Sequence, residues 1–243
     1  MSPVFLIRRI RLHPPEALHK GFWPSIHWEV VIQLQSEESK NETKVVKSLY
    51  DRISVIYDFL EIIMEFFLSR RRRELWQRVP AGTILEVGVG TGKNMRFYSE
   101  SHFVTGIDIS DGMLRKARSK AEKLKLQKNI TLEVGDVQRL PYLDSSFDSV
   151  VSTCVFCSVP DAVKGLKEIR RVLKPGGKLF MLEHVLSHHH LAKRIMTALD
   201  FIPAHIWGAH INRETVQNLK QAGFEKIEDK NLFYDVLKVI VAE

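Results

Sequence analysis

The sequence predicts an α/β fold: a mostly parallel sheet of seven strands with helices on both faces and a C-terminal antiparallel strand pair. Three observations predict it. From Thr83 onward, short apolar runs alternate with amphipathic helical segments, the pattern of a parallel sheet covered on both sides. The first run, Ile84-Leu85-Glu86-Val87, passes directly into the glycine-rich turn Gly88-Val89-Gly90-Thr91-Gly92, which brings bare backbone close to a ligand. The last two apolar runs read as a closing strand pair.

The strands are expected at 84–88, 102–107, 130–134, 147–154, 178–184, 224–229 and 234–242. A helix begins near Lys93, behind the glycine turn, and would present free N–H groups to a ligand. Further helices cover 112–126, with Met113, Leu114, Ala117, Ala121 and Leu124 on the apolar face, 162–173, and 213–222, stopped by Gly223. A helical insert occupies 187–212, and Lys174-Pro175-Gly176-Gly177 reads as a turn before the fifth strand.

Ahead of the sheet, residues 44–78 read as one or two lid helices and complete a domain spanning 44–243. Their polar stripe runs through Lys47, Asp51, Ser54, Asp58, Glu61, Glu65, Ser69 and Arg72. The apolar arc between is wider than a surface helix needs, and Arg70-Arg71-Arg72-Arg73 follows it. Two readings stand: arginines in water on a helix packed to the core, or arginines on lipid phosphates at a membrane interface. Residues 1–43 carry Pro14-Pro15, Gly21 and Pro24 and no clear periodicity, so they read as a loosely structured extension.

Composition bounds the function. A net charge of +7 admits nucleic acid, an acidic ligand or an anionic membrane as partner, and equally plain solubility. The basic residues are not interleaved with aromatics, so no nucleic acid is expected as partner. Two cysteines, Cys154 and Cys157, suggest a reducing compartment and no disulfide framework. Their C-x-x-C spacing lacks a second Cys or His pair, and His188-His189-His190 reads as a solvated loop, so no metal is expected. No run of about 18 apolar residues exists, which points to a cytoplasmic protein, with peripheral contact to the inner membrane face as an option.

The glycine turn narrows the ligand. A P-loop would need Gly-Lys-Ser/Thr after four spacers, and a dinucleotide fingerprint would want glycine where Lys93 stands. Glu86 would repel a pyrophosphate but suits a ligand carrying an ammonium group, as S-adenosyl-L-methionine does. Asp108 follows Gly88 by 20 positions, where an acid grips ribose hydroxyls, and Ser110 or Asp111 is available to cap the next helix instead. Asp136, at the end of the third strand, suits an adenine amino group, with the Val137 backbone N–H beside the ring and Ile109 and Met113 on its faces. Asn94, just past the turn, and Cys154, at the end of the fourth strand, join Glu86, Gly88, Gly90 and Gly92 in the cofactor-binding set.

These motifs resemble those of the class I S-adenosylmethionine-dependent methyltransferases, with a Rossmann-like fold. The likeness covers about residues 45–243 and includes Leu140-Pro141, Phe147-Asp148 and Leu173-Lys174-Pro175-Gly176-Gly177. Tyr50-Asp51-Arg52-Ile53 and Val55-Ile56-Tyr57-Asp58 resemble the leading helix of quinone C-methyltransferases and bacterial phospholipid N-methyltransferases, which implies Tyr57 beside the cofactor. Cys157-Ser158-Val159, Arg170-Arg171-Val172-Leu173, Glu183-His184-Val185, Trp207-Gly208-Ala209 and Asn212-Arg213-Glu214-Thr215 resemble the membrane-associated thiol methyltransferases, although Ala209 stands where a cysteine is usual. The implied acceptor is a hydrophobic small molecule or lipid. A phospholipid amine of the phosphatidylethanolamine type comes first, with a quinone carbon or a thiol as alternatives. Tyr57, His184 and His210 are the candidate catalytic groups, with His205 and Arg213 also near the expected pocket mouth and Glu183 placed to orient His184. The oligomeric state is left open.

Overall fold

The computed structural model describes residue 44 and residues 62–184, 214–233 and 237–243, all within the unit Ser39–Glu243. The expectations for 1–43, for the lid before residue 62 and for the insert at 187–212 lie outside the described residues.

The strands are β1 (Gly82–Val87), β2 (His102–Asp108), β3 (Ile130–Val134), β4 (Phe147–Thr153), β5 (Leu173–His184), β6 (Ile227–Phe233) and β7 (Leu237–Ala242). They form one sheet in the order β3-β2-β1-β4-β5-β7-β6. The first five pair in parallel, while β7 runs antiparallel to both β5 and β6. The chain steps outward from β1 to β2 and β3, then returns to place β4 on the other side of β1. That reversal opens a crevice beyond the carboxyl ends of β1 and β4, where open α/β sheets bind ligands.

Among the described residues the helices are α1 (Ile62–Trp76), α2 (Asp111–Lys123), α3 (Ala162–Val172) and α4 (Thr215–Gln221). One core cluster packs α3 and α4 against β4 and β5 through Leu166, Ile169, Val172, Leu179, Met181 and Leu219. A second packs α1 against the other face through Leu68, Leu75, Trp76, Ile84, Val151 and Leu182. A strand buried on both faces must be apolar almost throughout, as Ile84, Leu85 and Val87 are.

Three expectations need correction. The helix expected from Lys93 is a single 3-10 turn, Met95–Phe97. Only nine residues separate Gly92 from His102, and Tyr98 already turns extended to reach Glu86 with its hydroxyl. The turn at 174–177 lies inside β5 as an irregularity: Phe147 pairs with Leu173, but Ser149 pairs with Lys178, and Gly176 adopts φ +77°. The sixth strand begins at Ile227, later than expected, because the Phe224 side chain is buried in the core ahead of it.

Candidate functional site

The cavity in the crevice is lined by residues from the ends of β1, β2, β3 and β4. Gly88 has φ +65°, and a Cβ there would stand 2.4 Å from Val155, so the turn crosses β4's exit only without a side chain. Gly90 has φ +55° but meets nothing nearer than 4.0 Å, which leaves its backbone open to a ligand.

Asp108 is fixed from two sides. Its Oδ2 accepts from the Gly90 amide at 2.9 Å and its Oδ1 from the Ser110 amide at 2.9 Å. An ionised carboxylate has about four acceptor positions, the capacity on which a ribose diol would draw. Ser110, not Asp108, caps α2, accepting from the Met113 amide at 3.1 Å. Across the cavity, Asp136 Oδ1 accepts from the Gln138 amide at 2.8 Å, which sets the carboxylate at the end of β3.

Of the residues singled out in the sequence, Gly88, Gly90, Asp108, Ile109, Met113, Asp136, Val137 and Cys154 line this one cavity. Cys154 does so with φ +58°, a conformation that costs a non-glycine residue about 1 kcal/mol or more. Glu86, Gly92 and Asn94 stand behind the wall. Glu86 is 1% exposed, accepts from Asn94 Nδ2 at 2.7 Å and also accepts from the Tyr98 hydroxyl. Burial pushes its carboxyl up to about 7, against the hydrogen bonds from Tyr98 and Asn94 and the charge of Arg72.

Tyr57, His205, His210 and Arg213 fall outside the described residues, and His184 is described at its backbone only. Glu183 serves the end of β4: its Oε1 accepts from Ser152 Oγ at 2.8 Å and from the Val155 amide at 3.1 Å. Its Oε2 is buried with no hydrogen-bond partner among the described residues, and burial raises this carboxyl to about 7 as well.

The arginine run divides in a way the sequence reading missed. Arg70 and Arg73 are exposed and Arg71 is half-buried, but Arg72 is 5% exposed and lines the cavity. The expected solvent stripe therefore fails at Arg72, whose side chain is buried while its neighbours in the run are exposed or half-buried. Helical spacing carried the signal: Leu68 lies one turn before Arg72, Leu75 and Trp76 one turn after, and all three are buried. Gln138, Thr153, Ser158 and Val159 also line the cavity and were not singled out for the donor.

These residues fit S-adenosylmethionine. Asp108 and Asp136 line the same cavity as the apolar Ile109 and Met113, a mix that suits a ribose and an adenine, and the buried acid Glu86 is tied to Asn94 behind the glycine loop. Among the described residues no cluster has the makeup of a metal site, and no helix is long and apolar enough to cross a membrane.

Residues 85–181 match the family described as "Methyltransferase domain". A ubiquinone/menaquinone biosynthesis C-methyltransferase of Geobacter sulfurreducens is 32% identical over 160 residues, covering 62% of each chain. A thiol S-methyltransferase of Rattus norvegicus is 33% identical over 174 residues, 66% of this chain and 70% of the relative. A phosphatidylethanolamine N-methyltransferase of Cereibacter sphaeroides is 37% identical over 115 residues, 47% of this chain and 57% of the relative. The chain thus spans less than two thirds of the Geobacter and Cereibacter proteins. Among solved structures, a SAM-dependent methyltransferase of Methanosarcina mazei superposes with TM-score 0.55 at 29% identity, covering 68% of this chain and 94% of that one.

Proposed function

This chain belongs to the class I S-adenosylmethionine-dependent methyltransferases, and we propose that it transfers the donor's methyl group to an amphiphilic acceptor, an ethanolamine-type phospholipid amine first among them. The observation that carries this reading is the cavity itself, lined by Asp108 and Asp136 and also by the apolar Val155, Val159 and Pro160. A fully polar acceptor gains little from such a wall, whereas an acyl or isoprenoid chain does. The resemblance to phospholipid N-methyltransferases and the Cereibacter relative support the amine.

S-adenosylmethionine, when bound, supplies an electrophilic methyl group on a sulfonium, so the protein's task is to align and to exclude water. Asp108 and the loop amides it orders would hold the adenosine. Val155 and Val159 would keep the transfer line dry. Glu183 stiffens the turn that carries Val155 through that residue's amide. An amine acceptor must arrive uncharged, and Tyr57, His184 and His210 remain the groups we propose for handling its proton.

A second reading has its own support. Ser158 and Val159, part of the stretch resembling thiol methyltransferases, lie on the cavity wall, and the rat relative shares that chemistry in name. The quinone-ring reading rests on the leading-helix motif and the Geobacter relative. We propose further that residues 44–243 form the enzymatic domain, that residues 1–43 are dispensable for it, and that 44–78 and 187–212 cover the acceptor side. Peripheral contact with an anionic bilayer would run through Arg70, Arg71 and Arg73 and not Arg72.

The test is incubation of the protein and isotope-labelled S-adenosylmethionine with three acceptors: phosphatidylethanolamine vesicles, a reduced demethylated quinone and a long-chain thiol. Mass spectrometry should find label in the phospholipid headgroup. Label in the thiol instead selects the second reading. A preference for small, fully polar acceptors overturns the amphiphilic class.

A further inference from the structure

One side chain joins the glycine loop to the end of β4, and neither segment supplies it. Arg72 on α1 donates from one guanidinium nitrogen to Asn94 Oδ1 at 3.1 Å and to Thr153 Oγ1 at 2.6 Å. Asn94 donates in turn from Nδ2 to Glu86 Oε1 at 2.7 Å and to Thr153 Oγ1 at 3.0 Å. Arg72 and Asn94 are 5% and 1% exposed, and Thr153 is 6% exposed. The guanidinium also reaches the cavity wall, and its charge acts on both buried carboxylates, Glu86 and Glu183.

Seating a helix does not require this. Leu68, Leu75 and Trp76 already bury the same face of α1. Burying a guanidinium costs several kcal/mol unless its surroundings return that energy, so packing alone would favour an apolar residue at position 72. What an arginine adds is a planar group whose terminal nitrogen holds two N–H bonds in fixed directions, so that one nitrogen orients two acceptors at once. Here those acceptors belong to the residue that holds Glu86 under the glycine loop and to the last residue of β4.

We propose that Arg72 is a positioning residue of the donor site, holding Asn94 and Thr153 so that the glycine loop and the end of β4 keep their donor-binding arrangement. The proposal rests on the donor reading given above. Its consequence is that α1 belongs to the donor site as well as to the acceptor side. Lifting α1 off the sheet breaks both hydrogen bonds together, so donor affinity depends on α1 being seated.

The experiment is calorimetric titration of the full chain with S-adenosylhomocysteine, alongside thermal melts. The set comprises wild type, Arg72→Lys, Arg72→Gln, Asn94→Ala and the double variant Arg72→Lys/Asn94→Ala. Arg72→Gln should bind about tenfold more weakly or worse, the scale of lost hydrogen bonds to a charged group. Arg72→Lys should recover part of that loss, since it keeps the charge but not the fixed planar N–H directions. The double variant should lose clearly less than the product of the two single losses, because Arg72 acts in part through Asn94. A purely structural role predicts something else: lower melting temperatures, with unchanged affinity wherever the protein is folded. Wild-type affinity in folded Arg72→Lys and Arg72→Gln overturns the proposal, as does a double variant whose loss is the product of the two single losses. If Arg72→Gln fails to fold, Arg72→Lys and the cycle decide. Failure of the wild type to bind S-adenosylhomocysteine would strike the donor reading itself, and is thereby distinguished.

Discussion

The two ends of the sheet treat carboxylates in opposite ways. At the amino ends of β1, β4 and β5, Asp148 accepts from the Thr83 amide at 2.8 Å and the Thr83 hydroxyl at 2.7 Å, and pairs with Lys174 at 2.7 Å. The Lys174 bond, then those from Thr83, hold its carboxyl down at about 2. Close by, Arg171 binds Glu168, Asp144 and the carbonyls of Leu140 and Tyr142, clamping the loop before β4 to the end of α3. At the carboxyl ends, Glu86 and Glu183 are each 1% exposed, and burial pushes both up to about 7. The amino end settles its charges within the protein. The carboxyl end keeps acids under strain beneath a cavity, where a cationic ligand can relieve them.

The strongest challenge to this contrast is Asp108→Ala. It removes the acid at the cavity and releases the Gly90 and Ser110 amides, so affinity for S-adenosylhomocysteine should fall at least about tenfold. Titration calorimetry checks it, and an undiminished affinity would take Asp108 out of the donor site.

Glu183→Gln addresses the stored cost. A carboxyl raised from its usual 4.5 to about 7 by folding favours the native state while protonated. Its contribution is full below about pH 4.5 and is lost as pH rises through about 7. The variant cannot ionise there, so its melting temperature relative to wild type should be higher at pH 8 than at pH 5. A difference that does not change with pH breaks the contrast at this residue.

At the other end the sign reverses. Asp148, lowered from 3.8 to about 2, stabilises above pH 3.8 and loses that contribution as pH falls through about 2. Asp148→Asn should therefore melt lower than wild type at pH 7, by a margin that shrinks in acid, while donor affinity stays put. Because the pair is more than a third exposed, the loss should be about 1 kcal/mol or less. Smallest of all, Arg70→Gln breaks a surface pair with Glu74 whose side chains are 80% and 41% exposed, and should shift stability by only a few tenths of a kcal/mol. If that variant also binds anionic vesicles as wild type does at low salt, Arg70 has no part in membrane contact.

The parallel half of the sheet was legible because buried strands are written as apolar runs bounded by glycine and acid. Ile130–Val134 matches its expected span to the residue. The meeting of residues at strand ends was legible too, since topology sends Gly88, Asp108, Asp136 and Cys154 to one crevice. What escaped was decided by tertiary competition. Tyr98 turns toward Glu86 and cuts the helix after the glycine loop to a single turn, and no local propensity encodes that pull. Arg72 was hidden by its identity: one of four arginines looks like solvent-facing charge until its spacing from Leu68 and Leu75 is weighed.

The antiparallel insertion of β7 bears on how the molecule is made. Its neighbours in space are β5 and β6, yet it is last of the described strands in sequence. Until Leu237–Ala242 leave the ribosome, β5 offers an unpaired edge along Leu179, Phe180, Met181 and Leu182. Those four residues are apolar, with charge only at their two ends in Lys178 and Glu183, the kind of edge along which unfinished chains join one another. The hairpin of β6 and β7 is local in sequence and can form as a unit before it docks. Synthesis slowed between β5 and β7 would lengthen the exposure of that edge, and the yield of native protein should track the chaperone supply during that interval.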